Sequence, residues 1–329
     1  MENRKIDRHT ALYFKNGKAM RNRVVVPPMA SQTATESGQV SAATLAHYER
    51  LASSCGGLLI VEYSYVHLSG RSETNQLGID QDAQIDGLTQ LANLIQSSGA
   101  LAGIQITHAG GKTERALTGG VLHGPAGIRV PVKDRFLEEP TPMTPADIEL
   151  WKSSFQNSIS RAVQAGFDLV EIHAAHGYGI NQWLSPITNP RGDGLDLLVE
   201  IVAEAKRRFP KLLLSVRMPG QDFIEGGLQV HNSLKIALAL EQTGADILHI
   251  SSGIGGWKRP GTRSGEGYLV VEAAEIQKVV SIPVIGVGGI ESGKYIDESL
   301  RQKRFSLAAV GRAILNEPKL WGKQQLCTG

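Results

Sequence analysis

The sequence predicts a single (β/α)8 barrel, and three observations predict it. Short β-branched apolar runs alternate eight times with amphipathic helical stretches, with no gap long enough to be a linker. Runs such as VVVPP, LLIVE and IPVIGV are near-continuously apolar, as suits strands of a parallel sheet covered on both faces. The glycine-rich strand–helix junction, GVGGIESG, falls at the seventh strand, whereas a doubly wound dinucleotide fold carries its glycine fingerprint after an early one. A chain of 329 residues, 41% apolar and 20% charged, suits one domain over 1–329 with a substantial core.

Taken in order, the strands are expected at 24–27, 58–66, 101–108 and 168–175, then at 212–218, 247–253, 282–289 and 306–311. Helical periodicity fills 42–53, 83–98, 145–165, 195–208, 231–243, 270–280 and 293–302. A last short helix at 312–324 is broken by Pro318. The stretch 109–144, rich in Gly and Pro, reads as a rim loop inserted after the third strand. Its cations His123, Arg129, Lys133 and Arg135 could receive nucleotide phosphates, but charges on a loop are more often simply solvated. Trp151 and Trp183 read as helix packing.

Composition excludes several classes. The 34 basic and 32 acidic residues leave a formal charge of +2, which argues against a dedicated nucleic-acid or membrane-surface role. No apolar run approaches the ~20 residues of a membrane span, and the opening MENRKIDRHT lacks a signal-peptide apolar region. Two cysteines, Cys55 and Cys327, cannot build a disulfide framework, an iron–sulfur site or a cysteine zinc site by themselves. The expectation is a cytoplasmic chain that does not depend on disulfides, acts on a small molecule, and is compatible with a homo-oligomer.

In such a barrel chemistry gathers at the C-terminal ends of the strands. Here those ends read Pro27-Pro28-Met29, Glu62-Tyr63-Ser64, Gln105-Ile106-Thr107-His108, and Glu171-Ile172-His173 followed by His176 and Tyr178. Strand five ends in Arg217, strand six in Ser251-Ser252-Gly253, and strands seven and eight in Gly288-Gly289 and Gly311-Arg312. The last two junctions resemble a phosphate site, where glycine lets backbone N–H groups approach an anion and Arg312 adds a bidentate partner. The alternative is a pair of tight βα turns.

Three chemistries compete for that rim. A Schiff-base aldolase needs a lysine at a strand end, and no strand ends in one. His173 and His176 could bind a metal, but an i,i+3 pair across a glycine-flanked turn is a weak metal signal. The third is an organic cofactor carrying the chemistry itself. Gln105 can serve a pyrimidine carbonyl and N–H together, and Arg217 can stabilise negative charge developing on a flavin. On residues alone, Gln105 reads equally as a satisfied core amide, and Arg217 as the partner of Glu171 or Glu62.

NRVVVPPMA (22–30), HYERLA (47–52), GIQITHAGGK (103–112), AGFDLVEIHAAHGYGINQWLSP (165–186), SVRM (215–218) and the run from IPVIGVGGI to LAAVGRAILNEP (282–318) together resemble the Old Yellow Enzyme family of FMN-dependent NAD(P)H oxidoreductases, or ene-reductases. The motifs span nearly the whole chain in the family's order. The resemblance implies FMN as cofactor and NADPH or NADH as reductant. It implies ping-pong reduction of the C=C bond of an α,β-unsaturated carbonyl or a related activated alkene. An NAD(P)H oxidase or quinone reductase, or a flavin-binding protein without turnover, is the alternative.

The same resemblance implies that Pro27, Pro28, Met29 and Ala30 lie against the flavin and Tyr63 lies near its ring. Gln105 and Arg217 would face it, and Gly288, Gly289, Gly311 and Arg312 would hold its phosphate. His173 and His176 would grip the acceptor's oxygen, and Tyr178 would protonate the α-carbon. The sequence departs from the family at Ala30, often Cys, at Gln32, often Tyr, and at Tyr63, usually small. It also has a shorter loop after the fourth strand.

Overall fold

The computed structural model describes residues 6–132 and 137–326. Eight parallel strands close into a barrel: β1 (Val24–Val26), β2 (Leu58–Tyr65), β3 (Leu101–Thr107), β4 (Leu169–His173), β5 (Leu213–Gln221), β6 (Ile247–Ser252), β7 (Val284–Gly286) and β8 (Leu307–Ala309). Each pairs with the next in sequence, and β8 closes onto β1 with Ala308 beside Val24 and Ala309 beside Val25. The fold is the (β/α)8 barrel that the alternation predicts.

Outside the strands lie α1 (Ala42–Ala52), α2 (Ile85–Ser97), α3 (Pro145–Gln164), α4 (Gly179–Leu184), α5 (Gly194–Arg208), α6 (Val230–Thr243), α7 (Val270–Val279), α8 (Gly293–Arg301), α9 (Arg312–Asn316) and α10 (Pro318–Gln325). Their ends follow local chemistry. Ser41 and Thr44 form a capping box that starts α1, and Thr144 and Asp147 form another at α3, with Pro145 at its first position. Gly244 closes α6 in the left-handed conformation, φ 108°. Pro318 divides the last predicted helix into α9 and α10. The short α4 has no apolar periodicity to announce it; all six of its residues are buried.

Strand alternation sorts the core into two layers. Val24, Val26, Leu59, Val61, Ile104, Ile172, Val216 and Leu248 face the helices. Val25, Leu58, Ile60, Leu169, Leu213, Ile247, Ile285 and Leu307 point inward and fill the lower half of the barrel. An antiparallel hairpin, Leu12–Tyr13 with Ala19–Met20, joins this inner cluster through the buried Met20 and the flanking Leu12 and Phe14. Burial of each such side chain stabilises the fold by roughly 1.5–3 kcal/mol. Higher in the barrel, the same inward positions turn polar.

The rim segment 109–144 is held by its own short parallel pairing, His123–Gly124 with Thr141–Pro142. Arg115 pairs with Glu138 at 2.9 Å, Arg129 with Glu139 at 3.4 Å, and His123 lies 3.7 Å from Asp147. Val130 and Leu137 pack onto Ile254 in the loop after β6, so the segment lies over the barrel mouth. Lys133 and Arg135 lie outside the described residues. Trp151 stacks against His108 with ring centroids 4.1 Å apart, and Trp183 lies under Arg191. Cys55 is half-buried at the end of the turn after α1, and Cys327 lies outside the described residues.

Candidate active site

The polar centre of the barrel is built on Glu171. Its carboxylate accepts from Gln105 Nε2 at 2.9 Å, from Ser215 Oγ at 2.9 Å and from His249 Nδ1 at 3.0 Å. The register explains the convergence: Gln105 stands beside Glu171, and Glu171 beside Ser215, on three adjacent strands. Burial pushes the Glu171 carboxyl up, but His249, Arg217 and Ser215 more than offset this and hold it below the usual carboxylate range. Burial also lowers His249, which stays neutral at physiological pH.

Arg217 sits one inward position above Ser215, in register with His173 on one side and His249 on the other. Its Nε is buried without a hydrogen-bond partner, as are Thr107 Oγ1 and His249 Nε2. A buried cation that spends none of its Nε donor on the protein calls for a ligand acceptor. Glu171 supports the Arg217 charge electrostatically, while its carboxylate accepts from three other side chains. Glu62 accepts from the backbone and hydroxyl of Ser31 and lies 3.4 Å from Tyr48 Oη.

The ends of β1, β7 and β8 form a second, shallower surface. Pro27 and Pro28 are buried, Met29 is half-buried and Ala30 is exposed. A Cβ on Gly311 would lie 3.5 Å from both Met29 Sδ and Pro27 Cγ, so these two strand ends meet. Gly288 and Gly289 have φ of 122° and 68°, open to glycine and strained for other residues. A Cβ on Gly288 would come within 2.8 Å of the Leu269 backbone N, and one on Gly289 within 3.5 Å of Arg312 Nη2. Arg312 is exposed beside this glycine backbone, an arrangement that suits an anion.

The third group stands where β4 gives way to α4. His173 and His176 lie with ring centroids 5.0 Å apart and nearly perpendicular, and Tyr178 lies 4.8 Å from His173. The Ala175 N–H donates to His173 Nδ1 at 3.3 Å. Burial, together with Arg217, Lys112 and His249, holds His173 far below the usual imidazole range. A neutral ring whose Nδ1 accepts must carry its proton on Nε2 as a donor. His176 is held in the left-handed region, φ 60°, with its Nε2 2.6 Å from Ser251 Oγ. Its carbonyl accepts from Lys112 Nζ, which also stands 4.5 Å above the Tyr178 ring. This strained backbone conformation at a polar site is characteristic of functional loops.

Tyr63 joins this third group. The β2–β3 register shifts between Val61 and Ser64, a bulge that breaks the alternation set by Leu58 and Ile60. Glu62 is left to Tyr48 and Ser31, and the Tyr63 ring lies 5.3 Å from Tyr178 and 6.4 Å from His173. Gln32 turns its side chain to Glu73 at 3.1 Å. Three further residues escaped the sequence reading. His249 alternates with apolar neighbours in ILHISS, a parity signal that could have placed it inward beside Arg217. Lys112 lies at the end of a motif whose length gives no direction. Asp222 accepts from Ser185 Oγ, Leu228 N and Ile254 N, tying together the loops after β4, β5 and β6; only structure shows that.

A barrel with a buried arginine whose Nε has no hydrogen-bond partner, glycines and Arg312 at the ends of β7 and β8, and a His–His–Tyr cluster on one rim suits an enzyme built around an anionic organic cofactor. The sequence profile of the NADH:flavin oxidoreductase / NADH oxidase family matches residues 10–326, and the chain belongs to that family. An NADPH dehydrogenase from Geobacillus sp. (strain WCH70) is 37% identical over 93% of this chain and 90% of its own. An NADH oxidase from Thermoanaerobacter brockii is 35% identical over 96% of this chain; here the chain spans 51% of the relative's length. Among solved structures, an old yellow enzyme homologue from Zymomonas mobilis has a TM-score of 0.81 at 19% identity, covering 95% of this chain and 91% of that one. A 2-naphthoyl-CoA reductase has a TM-score of 0.87 at 21% identity over 97% of this chain and 52% of that one. The chain is thus an oxidoreductase with FMN as its cofactor and NAD(P)H as its reductant. Among the described residues, no helix is long and apolar enough to cross a membrane and no side-chain cluster could hold a metal ion.

Proposed function

We propose that the protein reduces the C=C bond of activated alkenes such as α,β-unsaturated carbonyls, in ping-pong order after reduction by NAD(P)H. The observation that carries this reading is the grouping of two neutral histidines and a tyrosine above the inward Arg217. Bound in the barrel mouth, FMN supplies hydride transfer between the nicotinamide and an electron-poor carbon. Pro27, Pro28, Met29 and Ala30 would flank it and Tyr63 its ring, Gln105 and Arg217 would serve its pyrimidine, and Gly288, Gly289, Gly311 and Arg312 its phosphate.

The chain's own residues then set the chemistry. Gln105, fixed by Glu171, keeps its amide oxygen for a ligand N–H. Arg217 supplies a permanent positive charge where negative charge develops. His173, with its proton on Nε2, and His176, fixed by Ser251, present donors to the acceptor's carbonyl or nitro oxygen. Withdrawing electron density through that oxygen makes the β-carbon more electrophilic. Tyr178 holds the proton that the α-carbon needs.

The purified protein is expected to be yellow. Under anaerobic conditions NADPH or NADH bleaches the flavin absorbance, and cyclohexenone restores it. Bleaching that only oxygen or a quinone reverses would replace this reading with an oxidase or quinone reductase. A flavin that neither nicotinamide bleaches would point to binding without turnover.

A further inference from the structure

We propose that Glu62 is a positioning residue for the bound flavin: acting through Ser31, it fixes the strand-end segment 27–30 in the place from which that segment holds the cofactor. This inference rests on the placement of 27–30 against the flavin proposed above.

Glu62 is 2% exposed, yet its side chain takes no part in the polar centre around Glu171. Removing a carboxylate from water is costly, and an apolar side chain would fill the same space at less cost. What the carboxylate holds is one residue, by two arms. Ser31 N–H donates to Glu62 Oε2 at 2.9 Å, and Ser31 Oγ donates to Oε1. Glu62 is itself fixed from behind by α1: its N–H donates to Tyr48 Oη at 2.7 Å, and the same hydroxyl donates back to Oε1 at 3.4 Å. Three donors thus point at two oxygens, surroundings that suit the acceptor-only ionised form.

Ser31 directly follows the segment that would flank the flavin. At the near end of that segment Pro27 and Pro28 are buried with φ preset by their rings. Met29 is half-buried and Ala30 exposed, so the Ser31 clamp, rather than burial, closes the far end. The chain beyond is tied as well. Ser31 Oγ lies 2.7 Å from Thr33 Oγ1, and the Thr33 carbonyl accepts from Ser41 Oγ at 2.6 Å and from Thr44 Oγ1 at 3.0 Å. Thr44 and Tyr48 are both buried and stand one turn apart on α1, so one helix braces Glu62 on one side and the loop after Ser31 on the other. A segment already ordered loses little freedom when a ligand binds, and the clamp should therefore show in how long the protein keeps its FMN.

Release of FMN from the yellow holoprotein, followed after dilution by the return of free-flavin fluorescence, tests this without turnover. Glu62→Leu removes both arms and should speed release about 10-fold or more, the worth of about one hydrogen bond. Ser31→Ala removes only the hydroxyl arm and should speed it about 3-fold. Glu62→Gln keeps an acceptor for the Ser31 N–H and an amide that can donate to Ser31 Oγ, so its release should lie closer to native than to the Leu variant. Native release from Glu62→Leu and Ser31→Ala, beside a lowered urea midpoint, would reduce Glu62 to a fold-stabilising residue and overturn the proposal. A Gln variant as leaky as Leu would overturn it too, since the charge and not the clamp would then act. Should Glu62→Leu not fold, Ser31→Ala decides alone. Met29→Ala, within the segment, checks the underlying placement: unchanged flavin absorbance and release there would sink the placement of 27–30 and the proposal with it. A shift there, with native release from the Glu62 and Ser31 variants, would sink the role of Glu62 alone.

Discussion

Tyr178→Phe is expected to slow reoxidation by an enone by about two to four orders of magnitude, the usual worth of a positioned general acid. Reduction by the nicotinamide should be nearly unaffected, since that step moves a hydride and requires no proton from Tyr178. The variant keeps the ring that packs 4.8 Å from His173 and under Lys112, so the site's shape survives while its proton is lost. Stopped-flow measurement of the two half reactions separately checks this. Equal slowing in both would refute the acid role and leave Tyr178 as a packing residue.

The second large effect concerns stability in mild acid. Burial holds His108, His173 and His176 far below the ordinary imidazole range, and His249 below it. In the unfolded chain the same rings take up a proton near pH 6.5. The unfolded state thus binds more protons as pH falls, and stability falls with it. Each group contributes about 1.4 kcal/mol per pH unit, up to about 5 kcal/mol per unit for all four, from pH ~6.5 down to their folded values. Burial raises the carboxyls of Glu62 and Asp222, which act in the opposite sense because the folded chain protonates them first, so the net slope lies below that maximum. Urea denaturation between pH 7.5 and pH 5 should lose several kcal/mol, by the same linkage. A flat profile would mean these rings are protonated in the folded chain.

The barrel was legible in the sequence because its strands are near-continuous apolar runs and each predicted run contains the observed strand core. Strand ends were less so: β4 stops at His173, not at 175, because Ala174 N–H makes the last rung, donating to the Arg217 carbonyl at 2.7 Å, and the chain then turns through His176, whose φ of 60° leaves the extended region. At the site, Gln105, Arg217 and His173 stood out as polar residues at strand ends, and His176 and Tyr178 through the turn after β4 and the motif that carries the family resemblance. The environment of Tyr63 did not, because it depends on a bulge, and a one-residue slip in register leaves no mark in composition. The Glu171 cluster likewise depends on lateral register across β3, β4, β5 and β6, which no single segment encodes.

The hairpin under the barrel has a kinetic consequence. With Met20, Leu12 and Phe14 packed against the inward leucines and isoleucines, the lower end is sealed by apolar side chains. Among the described residues, the way in is therefore at the opposite end, where Val130 and Leu137 pack against Ile254. On the alkene-reduction reading proposed above, nicotinamide and acceptor take turns there, and a large excess of either should obstruct the other. Turnover should pass through a maximum as each concentration is raised at a fixed level of its counterpart.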